Sequence, residues 1–176
     1  LNNKKNKINI NDLGYLIGPI LNAGGRLGKS KYAAELLALQ VNATILRTNF
    51  FGYSYCIGRM SFSDWLLKVL HEKQEVKVFT DVKFSPLLTD TLCEMLAVVV
   101  KAPQCGVFNL GSKGGMSKAN FAFELAKCFD LDSSNMKESL SLDLKFLASR
   151  PSDMRMDSSY FEETFEVDLQ IGRASC

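Results

Sequence analysis

Ala43-Thr44-Ile45-Leu46-Arg47-Thr48-Asn49-Phe50-Phe51 decides the fold, because it reads as a strand and ordered helical patterns lie on both sides of it. Upstream, Ser30 to Gln40 reads as a helix: Tyr32, Ala33, Leu36, Leu37 and Leu39 form an apolar stripe, and Ser30 supplies a cap. Downstream, Ser61 and Asp64 open a second helix as a capping box with Asp in place of Glu, and Phe62, Trp65, Leu66, Val69 and Leu70 fall at core spacing. Val76 to Phe79 is a short strand, Ser85-Pro86 a bend, and Thr89 starts a helix through Leu92, Met95, Leu96 and Val99 that ends near Pro103. Gly106 to Leu110 is again a strand, Gly111 to Gly115 a turn, and Ser117 the cap of a helix through Phe121, Leu125 and Phe129. Farther on, Leu140 to Phe146 reads as a strand, Arg150-Pro151 as a turn and Ser158 to Phe165 as a short helix. Strands alternating with helices predict α/β architecture with parallel or mixed pairing.

The 176 residues, 47% hydrophobic and 23% charged, have globular composition and enough length for one domain with a core. No apolar run approaches the roughly 18 residues of a membrane span, since Gly14, Gly18 and Pro19 interrupt Leu13 to Leu21. A cytoplasmic protein with no membrane partner is expected. The start at Leu1, with no charged-then-apolar leader, suggests a fragment of a longer reading frame. Residues 1–31 hold Lys4, Lys5, Lys7, Arg26, Lys29 and Lys31 against Asp12 alone, so at a net charge of +2 the remaining body is mildly acidic. Any nucleic-acid contact is therefore confined to the first 37 residues.

Several chemistries are excluded by residue type and spacing. Cys56, Cys93, Cys105, Cys128 and Cys176 lie far apart, form no CxxC, and sit mostly in apolar surroundings, the pattern of reduced thiols rather than of a zinc site. His71, the lone histidine, ends a predicted helix beside Glu72 and Lys73, so a Ser-His-Asp triad or an HExxH site would rest on a residue that reads as surface. Ala23-Gly-Gly-Arg-Leu-Gly28-Lys29-Ser30 fits a relaxed phosphate-loop pattern, but Gly18-Pro19 breaks the strand that would deliver it. Its best downstream metal aspartate, Asp81, follows only a brief strand containing Lys77. Trp65 is expected in the core.

Five motifs resemble, in order, those of sugar-nucleotide reductases of the extended short-chain dehydrogenase superfamily, the dTDP-4-dehydrorhamnose reductase-like (RmlD-type) group. Gly28-Lys29-Ser30-Lys31-Tyr32-Ala33-Ala34-Glu35 is similar to its Y-G-x-S-K-x-x-x-E helix start. Thr44 to Gly52 is similar to the strand and loop that follow. Val78 to Asp81 with Phe84-Ser85-Pro86-Leu87 resembles its D-Q-x-G-S-P segment, Gly106 to Gly111 its G-x-Y-N-L strand, and Arg150-Pro151 with Met154 its late R-P turn. The resemblance covers about residues 28–168. It implies an incomplete Rossmann-like fold, mainly the C-terminal substrate-binding part, that takes a nucleotide-linked 4-keto sugar with NADPH or NADH as the intact family's reductant. Lys31 falls on the lysine that lowers the pKa of a tyrosine four residues earlier and holds the nicotinamide ribose. That tyrosine position is Leu27, which has no proton to give, and Tyr32 points about 100° round the helix from Lys31. The Gly-rich pyrophosphate turn of a dinucleotide half is also absent. No cofactor binding and no turnover by this chain alone are expected. Thr48, Asn49 and Phe50 follow the carboxyl end of a strand, where α/β ligands bind, and are expected on the substrate. Arg150 suits a phosphate or sugar; Arg47 does too, unless it pairs with an acid. Ser85 and Pro86 are expected to shape the substrate lobe rather than touch ligand.

Asp12 to Gly28, containing Gly18-Pro19-Ile20-Leu21-Asn22-Ala23-Gly24-Gly25-Arg26-Leu27, resembles a segment of RecJ-type single-strand exonucleases over about the first 37 residues, with Ile20 in place of the usual first arginine. None of that family's upstream Asp/His metal motifs is present. The two resemblances meet between about Gly24 and Leu37, so the chain is expected to be a chimera: a lead segment 1–27, a reductase-like part 28–168 and an unassigned tail 169–176. The competing classes are a RecJ-type nucleic-acid-binding fragment and a non-catalytic interaction module.

Overall fold

The computed structural model describes residues 35–36, 38–56, 58–143 and 151–169. The expectations for the lead segment, the phosphate-loop-like stretch, the splice, Lys31, Arg150 and the last residues fall outside these.

Strand β1 (Thr44–Phe51) is the longest and lies centrally in a parallel sheet, between β4 (Pro86–Leu88) and β5 (Gly106–Leu110). Thr44 to Thr48 pair with Gly106 to Leu110, and Asn49 to Phe51 with Pro86 to Leu88, so the two partners use successive stretches of one strand. β2 (Val76–Phe79) pairs in parallel with β7 (Met136–Ser139). The two-residue strands β3 (Lys83–Phe84), β6 (Met116–Ser117) and β8 (Asp153–Met154) form a small mixed sheet in the order β6-β3-β8. Such α/β layering, with parallel pairing at its centre, is what the alternating pattern predicts.

The sheets are covered by helices α1 (Phe62–His71), α2 (Thr89–Lys101), α3 (Lys118–Cys128) and α4 (Ser159–Phe165). α1 begins with the expected capping box: Ser61 Oγ accepts from Asp64 N, and the Asp64 side chain accepts from Ser61 N. α3 is capped by Ser117, whose Oγ accepts from Asn120 N. α2 has no side-chain cap of its own; instead Thr89 Oγ1 donates to Phe51 O at 2.6 Å, tying the helix to the end of β1.

Two apolar cores result. Leu66, Val69 and Leu70 of α1 pack with Val76, Val78, Phe84 and Met136 and with Phe121, Ala122 and Leu125 of α3. Leu46, Leu87, Phe108 and Leu110 of the central sheet pack against Leu92 and Val99 of α2 and Phe161 and Phe165 of α4. Side chains alternate along a strand, so β1 serves both: Leu46 faces the second core while Phe51 joins the first.

Three expectations are corrected. Trp65 is 42% exposed, because the capping box phases α1 with Leu66, Val69 and Leu70 inward and leaves Trp65 stacked on Phe62 at the helix edge. Over the described part of 140–146 there is no strand. Asp81 takes the N–H and hydroxyl of Ser141, Asp143 takes the N–H of Leu140, and the chain curls into a 3-10 turn at Ser141–Asp143. The strand lies earlier, where Met136 to Ser139 can pair with β2. Cys56, Cys93 and Cys105 are exposed rather than set in apolar surroundings; on α2 it is Leu92 and Val99 that turn inward, which leaves Cys93 outside.

Candidate functional site

A parallel strand delivers its carboxyl end to the crevice where ligands of α/β proteins bind. Here that end carries Thr48, Asn49 and Phe50. Alternation sets Thr48 and Phe50 on one face and Asn49 on the other, and Asn49 Nδ2 donates to Met154 O at 3.0 Å, joining β1 to β8. Phe50 is 47% exposed, whereas Thr48 Oγ1 is buried with no hydrogen-bond partner among the described residues. A buried hydroxyl left unbonded costs free energy, which makes it a polar group in want of a partner. Arg47 has the acid partner that one reading expected: its Nε and Nη2 donate fork-wise to Glu35 Oε1 at 2.8 Å and Oε2 at 2.5 Å.

The loop after β1 is stapled at its base and open at its tip. Asp64 Oδ2 accepts from Ser54 N at 2.9 Å and Ser61 N at 3.3 Å, Ser54 Oγ donates to Arg59 O, and Ser63 Oγ donates to Gly52 O. Burial pushes the Asp64 carboxyl up, but the bonds from Ser61 and Ser54 outweigh it and hold the group below its ordinary range. Tyr53 and Tyr55 meet edge to face at 5.0 Å and remain 71% and 90% exposed. With Phe50, Phe62 and Trp65 they border the carboxyl end of β1 with exposed aromatic rings.

The Gly-rich turn 111–115 is packed against protein at Gly111 and Gly115. A Cβ at Gly111 would meet Ser85 Cβ at 2.7 Å, and one at Gly115 would meet Arg155 Cγ at 2.7 Å and Phe84 O at 2.8 Å. Ser158 Oγ closes the turn further, accepting from Gly111 N and donating to Gly111 O. Gly111 and Gly115 therefore admit neighbouring side chains and backbone, whereas Gly114 faces open space. Asp81, the candidate metal aspartate, is held by Ser141, and among the described residues no group of three His, Cys, Asp or Glu is placed to hold a metal ion. No helix among them is long and apolar enough to cross a membrane.

Sequence reasoning missed Lys118. At the first position of α3, its Nζ lies 3.4 Å from the Phe84 ring centroid and 4.4 Å from that of Phe62. Burial pushes its ammonium down to about 8. The only signal for it was a lysine just inside a Ser cap in a stretch otherwise reading as core helix, and nothing in that pattern announces aromatic neighbours distant in sequence.

Residues 19–175 match the family described as the RmlD substrate binding domain. The chain belongs to that family. The RmlD-like fold is similar to that of dTDP-4-dehydrorhamnose reductase from Bacillus anthracis in complex with NADP, at 21% identity and TM-score 0.69 over 82% of this chain and 50% of that one. It is likewise similar to the Clostridium acetobutylicum dTDP-4-dehydrorhamnose reductase, at 23% identity and TM-score 0.70 over 82% and 50%, and to the dTDP-glucose 4,6-dehydratase of Bacillus anthracis in complex with NAD, at 14% and 0.60 over 80% and 46%. At these identities the likeness establishes the fold. The chain spans about half the length of these solved structures. No curated protein matches it.

Proposed function

We propose that this chain is the substrate-side part of a cytoplasmic sugar-nucleotide reductase, built to hold a nucleotide-linked 4-keto sugar, and that alone it catalyses no turnover. The observation that carries the reading is the substrate-binding-domain match over residues 19–175, met in the structure by an exposed aromatic border at the carboxyl end of a central parallel strand. In this reading Phe50 packs on the sugar, the Thr48 hydroxyl finds its missing partner in the ligand, Asn49 shapes the site through Met154, and Arg150 meets a phosphate. Lys31 is the remnant of the catalytic and ribose-holding pair, idle because Leu27 stands where the proton donor belongs. In this reading the intact family's NADPH or NADH is not bound by this chain, which lacks the Gly-rich pyrophosphate turn of a dinucleotide half. We take residues 28–168 as the centre of the reductase-like part, within a family match that extends on both sides, to 19 and 175; one long sequencing read through the source locus tests a join between 24 and 37.

Calorimetric titration of the full chain with dTDP-rhamnose and, separately, with NADPH tests the function. We expect measurable but weak binding of the sugar nucleotide and none of NADPH. Tight NADPH binding, or reduction of a 4-keto sugar nucleotide, overturns the claim of inactivity, and absence of any sugar-nucleotide binding overturns the substrate-side role.

A further inference from the structure

Lys118 is a cation without a counter-charge among the described residues. Its ammonium has three donors and faces two ring π-clouds, Phe84 and Phe62, with no oxygen accepting from it. Phe84 is 5% exposed, so one wall of this box is core, while Phe62 is 39% exposed, so the other wall reaches the surface. The acids on the elements packed around it are committed or remote. Strands β3, β6 and β8 carry only Asp153, whose two carboxylate oxygens are taken by Arg155 Nε at 2.9 and 3.1 Å and Nη2 at 2.6 Å. α1 carries only Asp64, occupied by Ser54 and Ser61, and β2 carries none; Glu124 of α3 lies six residues farther along and is exposed. Lys83, the neighbouring charge on β3, has the same sign as Lys118. The first turn of α3 contains no acidic residue, and the positive end of the helix dipole adds to the cost of an ammonium there.

The box adjoins the end of β1. Phe84 pairs in register with Met154, whose carbonyl takes Asn49 Nδ2, and Phe51 meets Phe121 edge to face at 4.8 Å, which in turn meets Phe84 at 5.5 Å. An anion held at Lys118 would thus lie beside exposed Phe62 and Trp65, on the face of β1 that carries Asn49 and Phe51. Ring faces keep the ammonium in place before any ligand arrives, so little side-chain freedom remains to be lost on binding.

We propose that Lys118 is an anion-binding residue of the substrate-side lobe, its Nζ donating to a phosphate oxygen of the sugar nucleotide's diphosphate from within the Phe62–Phe84 box. This assignment rests on the sugar-nucleotide reading above.

The full chain, carrying lysine labelled with 13C at Cε, is titrated with inorganic pyrophosphate, with dTDP and with thymidine, and the Lys118 signal is assigned by its loss in Lys118→Met. We expect pyrophosphate and dTDP to raise the Lys118 titration midpoint by about one pH unit or more, and thymidine to leave it in place. Lys118→Met should weaken dTDP at least about tenfold while thymidine affinity stays unchanged, and Lys118→Arg should restore most of the loss. The proposal is overturned if dTDP or pyrophosphate saturates the wild-type chain with the Lys118 signal unmoved, or if Lys118→Met binds dTDP as tightly as wild type. If pyrophosphate moves Lys118 but dTDP-rhamnose does not bind, the anion site stands and the sugar-nucleotide reading falls. If dTDP-rhamnose binds with Lys118 unmoved, the reverse holds, and if no probe binds, both fall.

Discussion

Lys118 sits at the tension between stability and use. An unfolded lysine titrates near 10.5 and the buried one near 8, so between those values the unfolded chain binds more protons and the unfolding free energy rises with pH. The penalty is fully present below pH 8 and relieved as pH passes 10.5; by the size of the shift it is on the order of 3 kcal/mol. Urea melts at several pH values should show this slope in wild type relative to Lys118→Met, and the variant should be the more stable at pH 7. If the two have parallel pH profiles, Lys118 is not the desolvated group described. Asp153 gives the opposite case. Hydrogen bonds from the Arg155 side chain and backbone hold its carboxyl down to about 2, so the pairing contributes above the ordinary carboxylate range and is lost as pH falls toward 2. In Arg155→Gln, an NMR titration should find Asp153 raised from about 2 toward its ordinary value of 3.8 but still below it, because the backbone N–H of residue 155 and the Lys83 charge remain. Both residues were opaque in the sequence. Arg47 was legible as one half of an ion pair because a charged residue inside a strand needs either water or an acid, but which acid, Glu35, depended on how the preceding segment folds back.

At the level of single elements, local chemistry explains what was readable. α1 starts where the Ser61–Asp64 capping box says it does because both bonds lie within four residues of chain. Ser61→Ala should lower stability by about 1 kcal/mol in a denaturant melt and loosen the loop 52–61, seen as faster amide exchange at Ser54, whose N–H shares the Asp64 carboxylate. Gly52 has φ +155° and lies where an added Cβ would strike Thr89 Oγ1, so Gly52→Ala should break the Thr89–Phe51 tie and cost about 2 kcal/mol or more by the same measurement. The two-residue strands β3, β6 and β8 left no periodic trace, since such short pairing carries no alternation to detect. The strand expected at 140–146 failed for a related reason: apolar residues there satisfied a pattern, while Asp81, 60 positions away, captured Ser141 and turned the chain.

Across the whole molecule, stability divides between two cores. Leu66 at 0% and Phe108 at 1% exposure anchor one each, and their clusters have no residue in common. Leu66→Ala should cost about 2–5 kcal/mol and Phe108→Ala about 3–5 kcal/mol, with the losses adding in the double variant. Strong non-additivity in urea melts would mean that β1 couples the two cores despite their separate packing. By itself the amino-acid order determined the α/β class, the order of its long elements, the two Ser caps and the membership in the RmlD substrate binding domain family, because these rest on spacing within a turn, a strand or a motif. Tertiary structure alone decided that Asn49 is committed to Met154, that Gly111 and Gly115 pack against Ser85 and Arg155, and that Lys118 stands in an aromatic box. Each of these joins residues tens of positions apart, and burial, hydrogen bonding and charge at such a meeting depend on distances that exist only once the chain has folded.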